Sequence, residues 1–199
     1  MNAPIILASG SSIRQSLLRN AGLTFEAVTP RVDEESVRAA LLAEGTKPRD
    51  IADALAELKA TKISARHTAA LVIGCDQVLD LEGELLSKPE TMDQARAQLF
   101  AMRGKRHDLL SAAVICQGGR PLWRHIGMAR MTVRPFSDDW LEGYLARNWP
   151  DISVSVGAYK LEAEGVRLFS RVDGDYFTVL GLPLLDLLSF LTLRGDLQQ

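Results

Sequence analysis

Residues 109–133 read LLSAAVICQGGRPLWRHIGMARMTV, and the kind of sheet this chain builds is decided there. Two apolar runs, residues 109–116 and 122–133, flank the pair Gly118-Gly119. A glycine pair between two strand-like runs is hairpin chemistry, because glycine supplies the positive φ that a tight reversal needs. In the second arm Trp123, His125, Gly127, Ala129, Met131 and Val133 occupy alternate positions, so they share one face of a strand. An antiparallel hairpin of this length is incompatible with strict strand–helix alternation.

Working outward, residues 91–102 read as a helix closed by Gly104, and residues 78–81 and 84–86 as a shorter hairpin around Glu82-Gly83. Residues 71–74 form a short apolar strand with Asp76 just beyond its end. Ahead of it, Asp50 caps a long helix to about residue 67, with Ile51, Leu55, Leu58 and Ile63 at helical spacing. Residues 34–44 make another helix, ended by Gly45. The chain opens with a strand at residues 4–8, the turn Ser9-Gly10-Ser11-Ser12, and a helix over residues 13–21 with Ser12 as N-cap. Downstream, Ser137 starts a helix that stops before Pro150, residues 166–172 form a strand, and Pro183 begins the last helix at N1. Helices mixed with hairpins predict an α/β chain, a mixed β-sheet flanked by helices, as one domain over residues 1–199.

The composition is that of a globular protein: of 199 residues, 47% are hydrophobic and 24% charged. A net charge of -2 provides no global field for nucleic acid or an anionic membrane, so a polyanionic ligand needs a local cluster of cations. Cys75 and Cys116 are far apart, lack a CxxC partner and sit in apolar runs, which reads as two buried thiols. The most apolar tract, residues 180–193, is too short to span a bilayer and is interrupted by Pro183 and Asp186. With no secretory pattern at the N-terminus, the expected location is cytoplasmic.

Five segments carry candidate chemistry, each with a plainer structural reading beside it. A strand delivering Ser9, Gly10 and Ser11 to a helix N-terminus presents backbone N–H groups to phosphate, with Arg14 able to fork onto its oxygens. Taken alone it reads first as an ordinary capped helix after a turn. Asp33-Glu34-Glu35 offers hard oxygen ligands for magnesium or manganese, or simply complements a helix dipole. Asp76 at a strand end, followed by Gln77, suits metal binding or proton acceptance, or a turn. Lys59 shares a helical stripe with Ala52, Ala56 and Ile63, and Lys88 is stiffened by Pro89; both are point charges of the kind phosphate sites use and surfaces also carry. The glycines and aromatics of residues 157–162, 174–176 and 181–183 suit a base pocket or ordinary turns.

In this order and spacing the segments resemble the Maf family of nucleotide pyrophosphatases over nearly the whole chain. The resemblance rests on Leu7-Ala8-Ser9 with Arg14 and Leu17-Leu18, Asp33-Glu34, Lys59-Ala60, Gly74 with Asp76, and Lys88-Pro89. It continues through Gly104 with His107, Gly157-Ala158-Tyr159, Gly174-Asp175-Tyr176 and Gly181-Leu182-Pro183-Leu184. It implies an elongated, two-lobed α/β fold with a central cleft, often dimeric. The implied reaction is hydrolysis between the α and β phosphates of a nucleoside triphosphate, dependent on a divalent metal cation, Mg2+ or Mn2+. By the same resemblance Asp76 is the proton acceptor and Glu34 a carboxylate near the metal, these two being its ligands. Lys59, Lys88 and Arg14 contact phosphate, with Ser9 and Ser11 in the phosphate turn.

Pyrimidine-nucleotide members of that family carry Ser-Pro-Arg-Arg where this chain has Ser11-Ser12-Ile13-Arg14, Thr in place of Gln77 and Gln in place of Glu162. At all three places the chain is similar to a second subgroup, associated with 7-methyl-GTP, in which Gln77 and Glu162 would inspect the base. A carboxylate at Glu162 suits the paired donors of guanine, and a cationic methylated base suits aromatic stacking by Tyr159. Ser12 in place of a proline, and residues 152–156 in place of Asp-Lys-Ala-Gly before Gly157, depart from the pattern. A nucleotide sensor restraining cell division through a partner is the alternative to an enzyme.

Overall fold

The structure, a computed structural model, describes residues 3–197. Among them the strands are β1 (Ile5–Ala8), β2 (Glu26–Ala27), β3 (Leu71–Leu81), β4 (Glu84–Leu86), β5 (Arg106–Gln117), β6 (Arg120–Val133) and β7 (Phe169–Asp173). The helices are α1 (Ser12–Asn20), α2 (Glu34–Ala43), α3 (Pro48–Ser64), α4 (Met92–Met102), α5 (Asp138–Asn148), α6 (Tyr176–Val179) and α7 (Leu184–Leu193). One mixed sheet runs in the order β2-β1-β3-β5-β6-β7, with β4 paired to β3. β1 is parallel to both β2 and β3, whereas β3/β4 and β6/β7 are antiparallel. The mixed sheet flanked by helices is the architecture the hairpin at Gly118-Gly119 predicts.

The chain divides into two compact units. The first comprises the residues up to Gln77, Leu110–Gly127 and the residues from Tyr176 on; the second comprises Val78–Leu109 and Met128–Asp175.

In the first unit β1 lies between two parallel neighbours, which is why Ile6, Leu7 and Ala8 form an unbroken buried run rather than an alternating one. One stripe of α3 is buried: Ile51, Ala52, Leu55, Ala56, Lys59, Ala60 and Ile63. Each leucine or isoleucine so buried contributes about 1.5–3 kcal/mol. The small residues Ala56 and Ala60 face Gly74 of β3, where an added Cβ would lie 2.6 Å from the Ala60 nitrogen. Helix backbone therefore rests directly on strand backbone, bringing Lys59 down beside β3. Cys75 and Cys116 are both buried free thiols.

In the second unit His107 is buried, with Nε2 2.8 Å from the Tyr159 hydroxyl, and Tyr159 packs edge-on against Phe169 at 4.8 Å between ring centroids. Burial pushes the His107 imidazole down to about 4, against the partial opposition of Asp108. Helix α4 packs on α5, their starts capped by Thr91 and Ser137, whose side chains accept from the backbone N–H of Gln94 and Trp140.

Several boundaries differ from the sequence expectation. β3 is one continuous strand where a break after residue 74 was expected, so Asp76 lies inside it. The strand changes partner instead of ending: pairing with β1 finishes at Ala8 and Gly74, and pairing with β4 begins at Leu79 and Leu86. Ser11, in extended conformation, is the N-cap of α1, and Ser12 is its first helical residue. Pro48 starts α3 at N1, leaving Asp50 in the first turn. β7 begins at Phe169 because Glu164–Leu168 winds as a 3-10 helix. Pro183 is the N-cap of α7 rather than its first residue. Among the described residues no helix is long and apolar enough to cross a membrane.

Candidate active site

The first unit assembles an ion cluster from three distant stretches. Asp33 caps α2, its carboxylate accepting from the Ser36 N–H at 3.0 Å and the Ser36 hydroxyl at 2.8 Å. Those two hydrogen bonds hold its carboxyl below the usual carboxylate range. The cap makes Glu34 the first helical residue. Lys59, only 5% exposed, comes from the buried stripe of α3, and Asp76, 4% exposed, from the middle of β3. The Lys59 ammonium donates to Glu34 Oε2 and to Asp76 Oδ1, each at 2.7 Å. The Glu34 side chain is 41% exposed, so the cluster has a wet end at Glu34 and a dry end at Asp76. Asp76 Oδ2 is buried and has no hydrogen-bond partner among the described residues. Two carboxylates and one ammonium leave the cluster with one net negative charge.

The opening turn lies beside this cluster because Ala8, the last residue of β1, pairs with Gly74, two residues before Asp76. Ser9 is buried and its hydroxyl accepts from the Ser11 N–H at 3.2 Å. No side chain caps α1, so its leading N–H groups remain available as donors to an anion. Arg14, in the first turns of α1, donates Nε to the Gly181 carbonyl at 2.7 Å and Nη1 to the Cys75 carbonyl at 3.2 Å. Gln77 turns its amide nitrogen toward Ser111 Oγ at 3.0 Å, the Thr178 carbonyl at 3.2 Å and the Val179 carbonyl at 3.0 Å. The Ser111 hydroxyl itself donates to the Thr178 carbonyl at 2.7 Å. Arg14 and Gln77 thus tie residues 178–181 to β3 and α1. Ser111 is not among the candidate residues in the sequence, although a lone hydroxyl inside the apolar run of residues 109–116 is a signal that it has a buried partner.

Seven of the nine residues singled out from the sequence are therefore in the first unit: Ser9, Ser11, Arg14, Glu34, Lys59, Asp76 and Gln77. Lys88 and Glu162 belong to the second. Lys88 is an exposed side chain between β4 and α4, before the buried Pro89. Glu162 is exposed in the turn ahead of the Glu164–Leu168 helix. Tyr159 does not serve as a stacking platform: its ring is buried against Phe169 and its hydroxyl is bound to His107.

Chemically, the cluster joins a dry carboxylate with one unpartnered oxygen, a buried ammonium and a second carboxylate open to water. Burial pushes the neighbouring Cys75 thiol up to about 11, so it is no nucleophile at neutral pH. Glu34 and Asp76 are hard oxygen donors of the kind a divalent cation takes, with Asp76 Oδ2 unpartnered, but Lys59 bridges the pair and, among the described residues, no group of three His, Cys, Asp or Glu side chains could hold a metal.

The model of the family described as Maf-like protein matches residues 4–193. A nucleoside triphosphate pyrophosphatase of Ruegeria pomeroyi is 63% identical over 195 residues, which is 98% of each chain. One of Caulobacter vibrioides is 55% identical, covering 98% of this chain and 97% of that one. A protein of Mesorhizobium japonicum named 7-methyl-GTP pyrophosphatase is 48% identical, covering 98% of both. With nearly every residue inside the family match, and such identity sustained from end to end, the chain belongs to the Maf family.

Proposed function

We propose that this protein is a nucleoside triphosphate pyrophosphatase, a hydrolase that splits the bond between the α and β phosphates to release the monophosphate and pyrophosphate. The names of the relatives support the reaction class. The observation that carries the reading is Asp76: dry, held by Lys59 through one oxygen, unpartnered at the other, and adjacent to the uncapped start of α1.

The residues divide the work as follows. The N–H groups at the start of α1 and the Ser9–Ser11 turn receive phosphate oxygens. Arg14, with two of its nitrogens committed to backbone carbonyls, is a cation fixed in place beside them. Lys59 offsets part of the charge of a triphosphate, which is about four negative charges. The Asp76 carboxylate accepts the proton of the attacking water as the water oxygen bonds to the α phosphorus and pyrophosphate leaves. Glu34 and Asp76 would hold the divalent cation, Mg2+ or Mn2+. When bound it neutralises phosphate charge and makes water a better nucleophile.

For the base we propose guanine, in its 7-methyl form. Support comes from the sequence resemblance to the 7-methyl-GTP-type subgroup at positions 77 and 162 and from the name of the Mesorhizobium relative. The exposed Glu162 carboxylate can accept the two adjacent donors of a guanine edge. Incubating the protein with 7-methyl-GTP, GTP, UTP and dTTP, each with magnesium and manganese, tests both levels. Monophosphate and pyrophosphate in equal amounts are expected, fastest from 7-methyl-GTP. Stepwise release of inorganic phosphate would sink the reaction, and a preference for UTP and dTTP would sink the base alone. The resemblance assigns Lys88 to phosphate, and Lys88→Ala and Glu162→Gln examine these two assignments separately.

A further inference from the structure

We infer that Lys59 closes the Glu34–Asp76 pair to a free divalent cation, and that the site accepts its metal only together with a triphosphate. The inference rests on the pyrophosphatase reading and concerns the order of loading.

Three observations carry it. First, a cation is already in residence: the Lys59 ammonium lies 2.7 Å from an oxygen of each carboxylate. A divalent ion approaching the same pair meets a like charge a few ångströms away, where burial leaves little water to screen it. Second, Lys59 has little freedom to withdraw. Its stem lies in the buried stripe with Ala52, Ala56 and Ile63, and the α3 backbone rests on Gly74. Third, the protein ligands are few. Among the described residues no group of three His, Cys, Asp or Glu side chains could hold a metal, so Glu34 and Asp76 have no third partner of that kind. Magnesium takes about six oxygens. The rest must come from water and from the phosphates themselves.

A triphosphate removes each obstacle. Its oxygens give the Lys59 ammonium new acceptors, and an ammonium has three donors, of which two are engaged. The same oxygens complete the coordination that two carboxylates leave unfinished, and their charge outweighs the repulsion between metal and ammonium. Asp76 Oδ2, buried and unpartnered, is the ligand oxygen held in reserve. Binding of metal and nucleotide is then strongly coupled, and by linkage each tightens the other by the same factor.

Manganese binding, followed by the loss of the free-ion paramagnetic resonance signal, tests this on the whole protein. Without nucleotide, wild type and Lys59→Arg should bind free Mn2+ weakly, and Lys59→Gln at least tenfold more tightly. Equal affinity of wild type and Lys59→Gln, within twofold, overturns the inference. Should Lys59→Gln fail to fold, wild-type crystals soaked in Mn2+ decide the matter. Anomalous scattering at Glu34 and Asp76 is expected only when a non-hydrolysable triphosphate analogue is also present. An ion bound there without nucleotide, with Lys59 still bridging, overturns the inference. Product analysis keeps the two readings apart. Tight binding of free Mn2+ by an enzyme that does release pyrophosphate defeats the loading order alone, whereas absence of any pyrophosphate release defeats the function.

Discussion

Gly74 and Ala56 meet with no side chain between them: a Cβ built on Gly74 would stand 2.2 Å from the Ala56 carbonyl oxygen. The obstacle is helix backbone, which cannot rotate aside. Gly74→Ala must therefore lift α3 from β3 and draw Lys59 away from Asp76. The variant is expected to lose about 3 kcal/mol or more of stability and most of its hydrolytic activity. Urea unfolding with the activity of the soluble fraction checks this, and a stability within about 0.5 kcal/mol of wild type would contradict the packing argument.

Removing Lys59 strands a buried carboxylate. Lys59→Met is expected to cost about 3–5 kcal/mol, since Asp76 then stays dry without its counter-ion. Adding Asp76→Asn should recover a large part of that loss, because the stranded charge goes with it. The comparison is a double-mutant cycle by urea unfolding, and additive losses would mean the two side chains do not interact. On the proposed role of Asp76 as proton acceptor, Asp76→Asn alone should lower hydrolysis by about a hundredfold or more.

His107 makes stability depend on pH. Its folded value is pushed down to about 4, while an unfolded histidine titrates near 6.5. Between those values the unfolded chain binds a proton that the folded one does not, so stability falls as pH drops from about 6.5 to 4. The contribution approaches about 3 kcal/mol at the acid end of that window. His107→Gln, which keeps a hydrogen-bonding group toward Tyr159, should flatten this part of the profile relative to wild type. Parallel profiles for the two proteins would rule out the histidine as the source.

Gln77 is expected to behave as a tether. Gln77→Glu replaces a donor by an acceptor facing the carbonyls of Thr178 and Val179. A loss of about 2–3 kcal/mol follows from leaving those acceptors opposed by another. Thermal unfolding measures it, and a melting temperature unchanged from wild type would show that the amide is dispensable.

Both thiols should be silent in the folded protein. Burial raises Cys75 to about 11 and also raises Cys116, so little thiolate forms at pH 8. A chromogenic disulfide reagent should find almost no reactive thiol in buffer and both in urea. Rapid reaction of either in the native state would contradict the burial.

How much of this was legible beforehand differs from element to element. The hairpin of β5 and β6 was readable because turn chemistry and alternation are local: Gly118 and Gly119 both have positive φ, and Ala129, Met131 and Val133 are buried on one face. From the sequence β3 reads as two pieces because Gly74, Asp76 and Gln77 interrupt its apolar run. Strand continuity there comes from exchanging β1 for β4 as neighbour, and a partner supplied by a distant segment leaves no local trace. Glu34, Lys59 and Asp76 are candidates from their chemistry and setting in the sequence, and the resemblance supplies their roles. Their mutual bonding had no signal in the spacing 34, 59 and 76, whereas the burial of Lys59 did have one, in its stripe with Ala52, Ala56 and Ile63. Tyr159 reads as a base platform, since an aromatic beside glycines looks the same from the sequence whether it faces a ligand or a core.

Periodicity, capping residues and turn glycines act over a few positions, and so most of the helices and strands, the mixed sheet and the family are legible in the amino-acid sequence, whereas the two-residue β2, the four-residue α6 and the continuity of β3 are not. That one ammonium joins two carboxylates, that Gln77 serves the backbone of residues 178–179, and that Tyr159 turns inward came from long-range packing. Those outcomes depend on which distant surfaces come within 3 Å of each other, and such proximity is created by packing, as when α3 settles on Gly74.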